Sequence, residues 1–200
     1  MIVFESEVAL EWGSLDVPMF GITKDWDGCP LDAPAGFALV VDPLRLWFLA
    51  MHRKPATLHP KSRPGLFMPG LWEADVAELF IADPSQSRYF EFNLAPNAAW
   101  WSCEFKSPRV REEETDIVFP EVATFEELAP DGGWVAGMAI PLDLLKARLD
   151  FGPESFANVT FILGNPGPRY LTAANLGDGP PDFHRPSAFG KIEFAAIPPR

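Results

Sequence analysis

Proline is the sequence feature that most restricts how this chain can fold. The 200 residues include 22 prolines, about twice the usual share of roughly 5%. They are spread along the whole chain and are not gathered in a low-complexity tail. Proline has no backbone N–H to donate, so it interrupts helices and is confined to the ends and edges of strands. The distribution therefore predicts many short strands separated by loops.

Two pairs of apolar segments have the spacing of β-hairpins. Residues 37–41 and 45–52 flank the short turn Asp-Pro-Leu, and residues 75–82 and 87–95 are joined by Asp-Pro-Ser-Gln. Short turns between runs rich in apolar residues are typical of antiparallel strand pairs. Further strands are predicted at 1–6, 99–105, 135–140, 156–164, 169–174 and 189–195.

One segment has the pattern of a helix instead. Residues 141–149 begin with Pro141, which suits the first helical turn, and carry leucines at helical spacing. A chain of 200 residues has room for one domain with a sizeable core. The sequence therefore predicts a single domain over residues 1–200. We expect it to be all-β, a two-sheet antiparallel β-sandwich of immunoglobulin-like or jelly-roll type with one short helix.

The charge of the chain limits its partners. The formal net charge is −12 at pH 7, which repels phosphate groups, so we expect no nucleic-acid partner. The same charge disfavours anionic membrane surfaces, and the longest apolar runs are far shorter than the roughly 20 residues that span a bilayer. Residues 1–13 lack the basic and apolar regions of a secretory signal. We expect a cytoplasmic protein by default, or one whose leader lies outside this sequence.

The two cysteines carry little information about the redox environment. Cys29 and Cys103 could pair in an exported protein. Without a secretory signal, two free thiols are the simpler expectation, because unpaired cysteine often packs as a small apolar residue.

The second hairpin places unlike residues on its two faces. Alternate residues of a strand point to opposite sides of the sheet. The predicted core face carries Ala77, Leu79, Ile81, Phe90, Phe92 and Leu94. The opposite face carries Glu78, Tyr89, Glu91 and Asn93. Trp72 comes just before the first strand, where a loop can hold its ring over this polar face.

A polar sheet face beside a large ring has two interpretations. Carboxylates and amides form directional hydrogen bonds with hydroxyl groups, and an indole ring stacks on the apolar C–H face of a pyranose. That combination suits a sugar. The outer face of an antiparallel sheet is also normally polar because it meets solvent, and a lone Trp often serves only in packing. Alternation by itself therefore leaves both a sugar-binding face and an ordinary solvated face open.

Three longer motifs occur in order along the chain. The first is GLWEADVAELFIADPSQSRYFEFNLAPN at 70–97, and the second is WVAGMAIPLDLL at 134–145. The third is PDFHRPSAFGKIEF at 181–194, with the pattern Phe-His-x-Pro-x-x-Phe. Together they resemble the family 9 carbohydrate-binding modules and their DOMON-like relatives, over about residues 35–195. The matching positions in the first motif are Leu71, Trp72, Asp75, Glu78, Phe80, Ile81, Tyr89, Phe92, Asn93 and Pro96.

The resemblance implies a non-catalytic carbohydrate-binding domain that recognises a terminal sugar. In sugar-binding members two aromatic rings sandwich the sugar, and Trp72 matches the first ring. Glu78 matches the carboxylate that binds hydroxyls, and Glu91 and Asn93 fall at the polar positions of the next strand. Some members have an arginine near the position of Glu91, where this chain has a carboxylate.

The second ring of such a site comes from a late loop in the family. The segment 177–186 contains no Trp, so the resemblance implies that Phe183, His184 or Tyr170 takes that place. Asn175, in the same region, is a further candidate for binding a sugar hydroxyl.

Other functions remain open from the residues alone. An accessory domain with the same fold could use this face to meet a protein partner. A glycoside hydrolase is a third possibility, because Glu78 and Glu91 could face each other across the hairpin at about 5 Å. Haem binding through Met68 and His184, known in some DOMON-like domains, is a fourth.

No catalytic or metal motif stands out beside these possibilities. The chain has no G-x-S-x-G sequence and no phosphate-binding loop, and its three histidines lack zinc spacing. The oxygen-rich loops 24–28 and 177–182 could hold calcium, but neither has a full calcium-loop pattern. We therefore expect no enzyme and no obligatory cofactor.

Overall fold

Two β-sheets packed face to face form the protein in a computed structural model that describes residues 1–116, 118–164 and 167–199. The first sheet contains β1 (Ile2–Glu5), β2 (Phe20–Lys24), β3 (Pro30–Val41), β4 (Arg45–His52), β9 (Ala123–Leu128), β10 (Trp134–Pro141) and β14 (Glu193–Ala196). The second contains β5 (Val76–Ala82), β6 (Tyr89–Leu94), β7 (Trp100–Ser107), β8 (Val110–Arg111), β11 (Phe156–Leu163), β12 (Arg169–Thr172) and β13 (Gly190–Lys191).

The strand order places the second hairpin at the centre of its sheet. The first sheet runs β14-β1-β3-β4-β10-β9, with β2 also paired to β3. The second sheet runs β12-β11-β5-β6-β7-β8, with β13 also paired to β11. The described strand pairs are antiparallel except for those of β1, which runs parallel to β3 and to β14. The predicted two-sheet, mainly antiparallel sandwich is therefore confirmed.

One helix longer than a single turn is described, and it lies where the sequence predicts it. The helix α1 (Leu142–Leu149) follows Pro141 and ends at Asp150, whose φ of 51° is left-handed. Single-turn 3-10 helices occur at Trp12–Ser14, Leu71–Glu73 and Pro186–Ala188. Within the described ranges, no helix has the length and apolar character needed to cross a membrane.

Both predicted hairpins are confirmed, but the end of the chain differs from its prediction. Residues 189–195 were expected to form one strand and instead form β13 and β14, separated by Ile192. The N–H of Ile192 bonds to the carbonyl of Ser155, while the next residue pairs with β1 of the other sheet. The single-strand prediction is wrong because the chain crosses here from one sheet to the other. The strands β2, β8 and β9 were not predicted.

The main core lies between the sheets and follows the predicted alternation. The second sheet contributes Ala77, Leu79, Ile81, Phe90, Phe92, Leu94, Val159, Phe161 and Leu163. The first sheet contributes Phe37, Leu39, Leu46, Phe48, Met138 and Ile140, among others. Burial of one such large side chain stabilises the fold by about 1.5–3 kcal/mol.

A second apolar layer covers the outer face of the second sheet. Val76, Phe80, Tyr89, Trp101 and Ile162 from that face pack against residues from two loops. The loop residues are Phe67, Met68, Leu71, Leu176, Phe183 and Phe189. This cover removes the face from bulk solvent, so the interpretation of it as an ordinary solvated face is wrong.

The N-terminal segment covers the outer face of the first sheet. The Trp12 ring lies directly over Gly137 of β10 and stacks on Phe125 of β9, with ring centroids 5.4 Å apart. A Cβ on Gly137 would lie 2.1 Å from the Trp12 ring, so only glycine allows this close approach. Leu10, Leu15 and Val17 extend the same cover.

Candidate functional site

A pocket of about 400 Å³ opens through the cover of the second sheet. Its floor is the sheet itself, through side chains of the strands β5, β6, β7 and β11. The lining also includes Trp72, the arginines Arg109 and Arg111 at β8, and residues 181–184. The pocket brings together Trp72, Glu78, Glu91, Phe183 and His184, which are five of the seven site residues predicted from the sequence.

The strand register determines how the carboxyl groups of the floor are arranged. Glu78 lies beside Thr160 on one neighbouring strand and beside Asn93 on the other. Glu91 lies opposite Phe80, so Glu78 and Glu91 are diagonal neighbours on adjacent strands. The expectation that they face each other directly across the hairpin is therefore wrong. Residues in this diagonal relation on neighbouring strands have backbones about 7–8 Å apart.

Both carboxyl groups are buried, which favours their protonated forms. The side chains of Glu78 and Glu91 are 3% and 5% exposed. Burial raises the pKa of Glu78 to about 7, against the opposing effect of a 2.8 Å hydrogen bond from Thr160 Oγ1. Burial also raises the pKa of Glu91 well above its usual range, and repulsion from Glu78 adds to the rise. Near neutral pH the pair therefore retains at least one proton.

Asn93 lies beneath the pocket and does not line it. Its side chain is completely buried, and neither of its amide atoms has a hydrogen-bond partner among the described residues. Its amide is close enough to Glu91 to lower the pKa of that carboxyl. Since the contact falls short of hydrogen-bond geometry, we treat the amide as unpartnered. The prediction that Asn93 binds a ligand hydroxyl directly stays a prediction.

Several aromatic rings line the pocket. Trp72 is 39% exposed and meets Trp101 edge-on, with centroids 5.3 Å apart. The turn that delivers Trp72 begins at Gly70, whose φ of 82° is left-handed and favours glycine. Two further rings of the lining, Phe183 and Tyr170, contact each other with centroids 6.1 Å apart. Phe183 and Tyr170 are two of the three residues that the resemblance offered for the second ring.

The loop that carries Phe183 is held by Trp26 and Arg185. The indole N–H of Trp26 donates to the carbonyl of Gly179 at 2.7 Å, and its ring lies 6.0 Å from that of Phe183. Arg185 stacks on the other side of the Trp26 ring and donates to the carbonyl of Leu176. These contacts hold the loop, and with it Phe183, in place over the sheet.

His184 is neutral and is connected to the sheet through Tyr89. The backbone N–H of Arg109 donates to the hydroxyl of Tyr89 at 3.1 Å. A hydrogen bond of 2.7 Å joins the same hydroxyl to Nδ1 of His184. Burial and the nearby Arg109 lower the pKa of His184 to about 4. Nε2 of His184 lies 3.7 Å from an oxygen of Glu91, at the edge of the pocket.

Two arginines that the sequence analysis did not select stand at the rim. Arg109 binds Asp182 at 2.8 Å, and Arg111 binds Asp116 while its guanidinium lies 5.6 Å from the centre of the Trp101 ring. They flank Val110, where the charged run Arg-Glu-Glu-Glu-Thr-Asp at 111–116 begins. Arg109 has a left-handed φ of 61° and only Val110 and Arg111 form β8, so strand alternation gives no signal that brings the two arginines together.

The remaining predicted positions lie outside this pocket. Asn175 is exposed, lines a separate concavity and accepts a hydrogen bond from the N–H of Gly177. The structure therefore does not bring it to the carboxyl pair. Met68 and His184, considered together for haem, line different concavities. Cys29 is exposed and Cys103 buried, and both thiols are free.

In each loop considered for calcium, one carboxylate is already bonded within the protein. Asp25 accepts hydrogen bonds from Arg169 and from the backbone N–H of Cys29. Asp182 accepts from Arg109 and from the N–H of His184. Over the described ranges, no group of three or more His, Cys, Asp or Glu side chains is arranged to hold a metal ion.

Comparison with known proteins identifies the fold. No protein-family model matches the chain, and no curated protein does. A solved structure of a candidate carbohydrate-binding protein from Bacteroides uniformis matches with a TM-score of 0.75 and 16% identity, over 98% of both chains. A family 9 carbohydrate-binding module from Caldicellulosiruptor kristjanssonii matches in complex with cellotriose, with a TM-score of 0.64 and 15% identity over 98% of this chain and 94% of that one.

The same type of module from Caldicellulosiruptor kristjanssonii also matches in complex with glucose. The TM-score is 0.63, at 15% identity over 98% of this chain and 96% of the module. Likeness at this level of identity reports on the fold. The chain therefore has the fold of a family 9 carbohydrate-binding module.

Proposed function

We propose that this chain is a non-catalytic carbohydrate-binding domain and that its pocket holds a terminal sugar. The observation that carries the proposal is the pairing of Glu78 and Glu91 in the floor with the half-exposed Trp72 at the rim. Carboxyl groups bond sugar hydroxyls directionally, and an indole packs against the C–H face of the ring. Phe183 also lines the pocket, and we propose it as the second ring that contacts the sugar.

The shape of the site supports a small ligand. It is concave, with two carboxyl groups on its floor and aromatic rings and a few charged side chains around them, and small-molecule sites usually combine apolar rings with a few polar groups. A protein partner would be favoured by a broad, flat apolar patch. The structural likeness to modules bound to cellotriose and glucose supports a saccharide as the ligand class.

The arrangement of the carboxyl groups supports binding over hydrolysis. A glycosidase places its two carboxyl groups on either side of the bond that it cleaves. Glu78 and Glu91 project from the same face of one sheet, as diagonal neighbours. A sugar resting on this floor would meet both from the same side. We propose that they act together as hydroxyl partners and not as an acid and a nucleophile.

Titration calorimetry against mono- and disaccharides tests the proposal. We expect at least one sugar to bind the intact chain, and Trp72→Ala to weaken binding by at least about tenfold, which is about 1.4 kcal/mol. Trp72→Phe is the matched control, because it keeps a ring at the rim, and it should retain most of the affinity. Absence of heat with every sugar, from protein shown to be folded, would refute sugar binding. Equal affinity in Trp72→Ala would refute the assigned site.

A further inference from the structure

We propose that the pocket prefers a sugar carrying a protonated primary amine over a neutral or acidic sugar. The inference rests on the proposed function, because it names the sugar class for the same site. Its basis is a contrast in the structure. The buried side of the pocket has two carboxyl groups and no cation, whereas the cations at its rim are already paired and exposed.

The floor carboxyl groups have few partners. Glu78 accepts one hydrogen bond, from Thr160, through one of its two oxygens. Among the described residues, Glu91 accepts no hydrogen bond of normal geometry, and Nε2 of His184 lies 3.7 Å from one of its oxygens. Buried carboxylates are ordinarily paired with a cation or hydrogen-bonded on both oxygens. Among the described residues, neither carboxyl group of this floor has a positively charged partner in contact with it.

The groups packed around Glu91 do not supply that charge. Tyr89 and Cys103 keep their protons because burial raises the pKa of both groups. His184 stays neutral because burial and Arg109 lower its pKa to about 4. These groups come from β6, from β7 and from the loop over the sheet, so Glu91 meets neutral neighbours from all three elements.

The arginines at the rim repel a bound cation only weakly. The side chain of Arg109 is 61% exposed and bound to Asp182, and that of Arg111 is 40% exposed and bound to Asp116. Paired charges in contact with water are largely screened. An acidic sugar would have to compete with Asp182 and Asp116 for the charge of these two guanidinium groups.

An ammonium group on the sugar would supply what the floor lacks. It carries three donors, and its bonds to carboxylates are charge-assisted. The rings of Trp72, Trp101 and Tyr170 around the floor add attraction for a cation near their faces. Opposite charge lowers the pKa of a carboxyl group, so Glu78 and Glu91 should release protons as the amine binds. Proton release is a signature that a neutral sugar would not give.

The test compares glucosamine, glucose, N-acetylglucosamine and glucuronate by titration calorimetry of the intact chain. The titrations are done at about pH 6, in two buffers with different heats of ionisation. We expect glucosamine to bind at least about tenfold more tightly than the two neutral sugars. We also expect about one proton to be released per glucosamine, because the pKa of Glu78 lies at about 7.

Variants locate the effect in the floor. Glu78→Gln and Glu91→Gln should reduce the preference for glucosamine over glucose. Glu193→Gln removes the same charge from an exposed strand position and should leave the preference unchanged. The proton count on the unmodified chain needs no variant, so it decides the proposal even if a floor variant fails to fold.

Three results would overturn the inference and are distinguishable from one another. Equal affinity for glucosamine and glucose, without proton release, would refute the amine preference and leave sugar binding intact. Tighter binding of glucuronate would assign the selectivity to Arg109 and Arg111 instead. No binding of any of the four sugars, together with none in the wider panel, would refute the proposed function itself.

Discussion

Replacing Glu78 with glutamine should stabilise the protein above about pH 7 and have little effect near pH 4.5. Glu78 is 3% exposed in the floor of the pocket, and burial raises its pKa from 4.5 to about 7. At low pH the carboxyl group is protonated in both the folded and the unfolded chain. Glutamine has nearly the same shape as the protonated acid, so the two proteins should then have similar free energies of unfolding.

The sign and size of the effect follow from the two pKa values. As pH rises from 4.5, the unfolded chain loses this proton first, while the folded chain keeps it until about pH 7. The folded state therefore binds more protons in this window, and stability falls as pH rises. Each unit of difference between the folded and unfolded pKa corresponds to about 1.4 kcal/mol, so the free energy of unfolding falls by about 3 kcal/mol in total. The glutamine variant escapes this loss, and it also removes the repulsion that raises the pKa of Glu91.

Urea unfolding followed by tryptophan fluorescence measures this difference. The experiment compares the unmodified chain, Glu78→Gln and the exposed control Glu193→Gln at several values between about pH 4.5 and 8. We expect the free energy of unfolding of Glu78→Gln to exceed that of the unmodified chain by an amount that grows with pH. For Glu193→Gln we expect the difference from the unmodified chain to stay constant. The account would be refuted if the free energy of unfolding of Glu78→Gln changed with pH in parallel with that of the unmodified chain, or was lower at pH 8. Either result would show that Glu78 is not a buried carboxyl group that keeps its proton up to about pH 7.

Other regions of the fold give independent predictions. Gly137→Ala should cost about 1–3 kcal/mol and expose residues 6–19 to proteases, because its Cβ would lie 2.1 Å from the Trp12 ring; unchanged thermal stability would contradict that packing. Phe92→Ala should cost about 3–5 kcal/mol in urea unfolding, since Phe92 is completely buried between the sheets. With a thiol reagent at about pH 8, Cys29 should react in the native protein and Cys103 only after unfolding, because Cys103 is 1% exposed and burial raises its pKa to about 12.

The central hairpin could be predicted from sequence because local rules determine it. Its short turn sets which strands pair, and alternation assigns every side chain of 75–82 and 87–95 to a face. The core residues Leu79 and Phe92 and the outer residues Glu78 and Glu91 were assigned in this way, and the structure confirms those faces. The same rules located the helix at Pro141 through the start signal of proline.

The cover over that hairpin could not be predicted, because no local pattern encodes it. The covering residues come from the segment 67–72, which directly precedes the hairpin, and from 176–189, which is remote from it in sequence; neither segment has the period of a strand or a long helix. Whether Glu78 meets water or a buried pocket depends on those loops. The rim arginines were missed for a related reason, since a charged run gives no sign that one end of it forms an edge strand. The exact register, which makes Glu78 a diagonal neighbour of Glu91, depends on the turn conformation.

The most direct test of the central claim is to follow the indole N–H signals of the protein by NMR while a binding sugar is added. The seven tryptophans give separate probes on both sheets. Trp72 and Trp101 line the pocket, whereas Trp12 and Trp47 pack on the outer face of the other sheet. The account predicts that the signals of Trp72 and Trp101 move with the sugar and that those of Trp12 and Trp47 stay in place. Movement at Trp12 and Trp47 with Trp72 and Trp101 unchanged would contradict it.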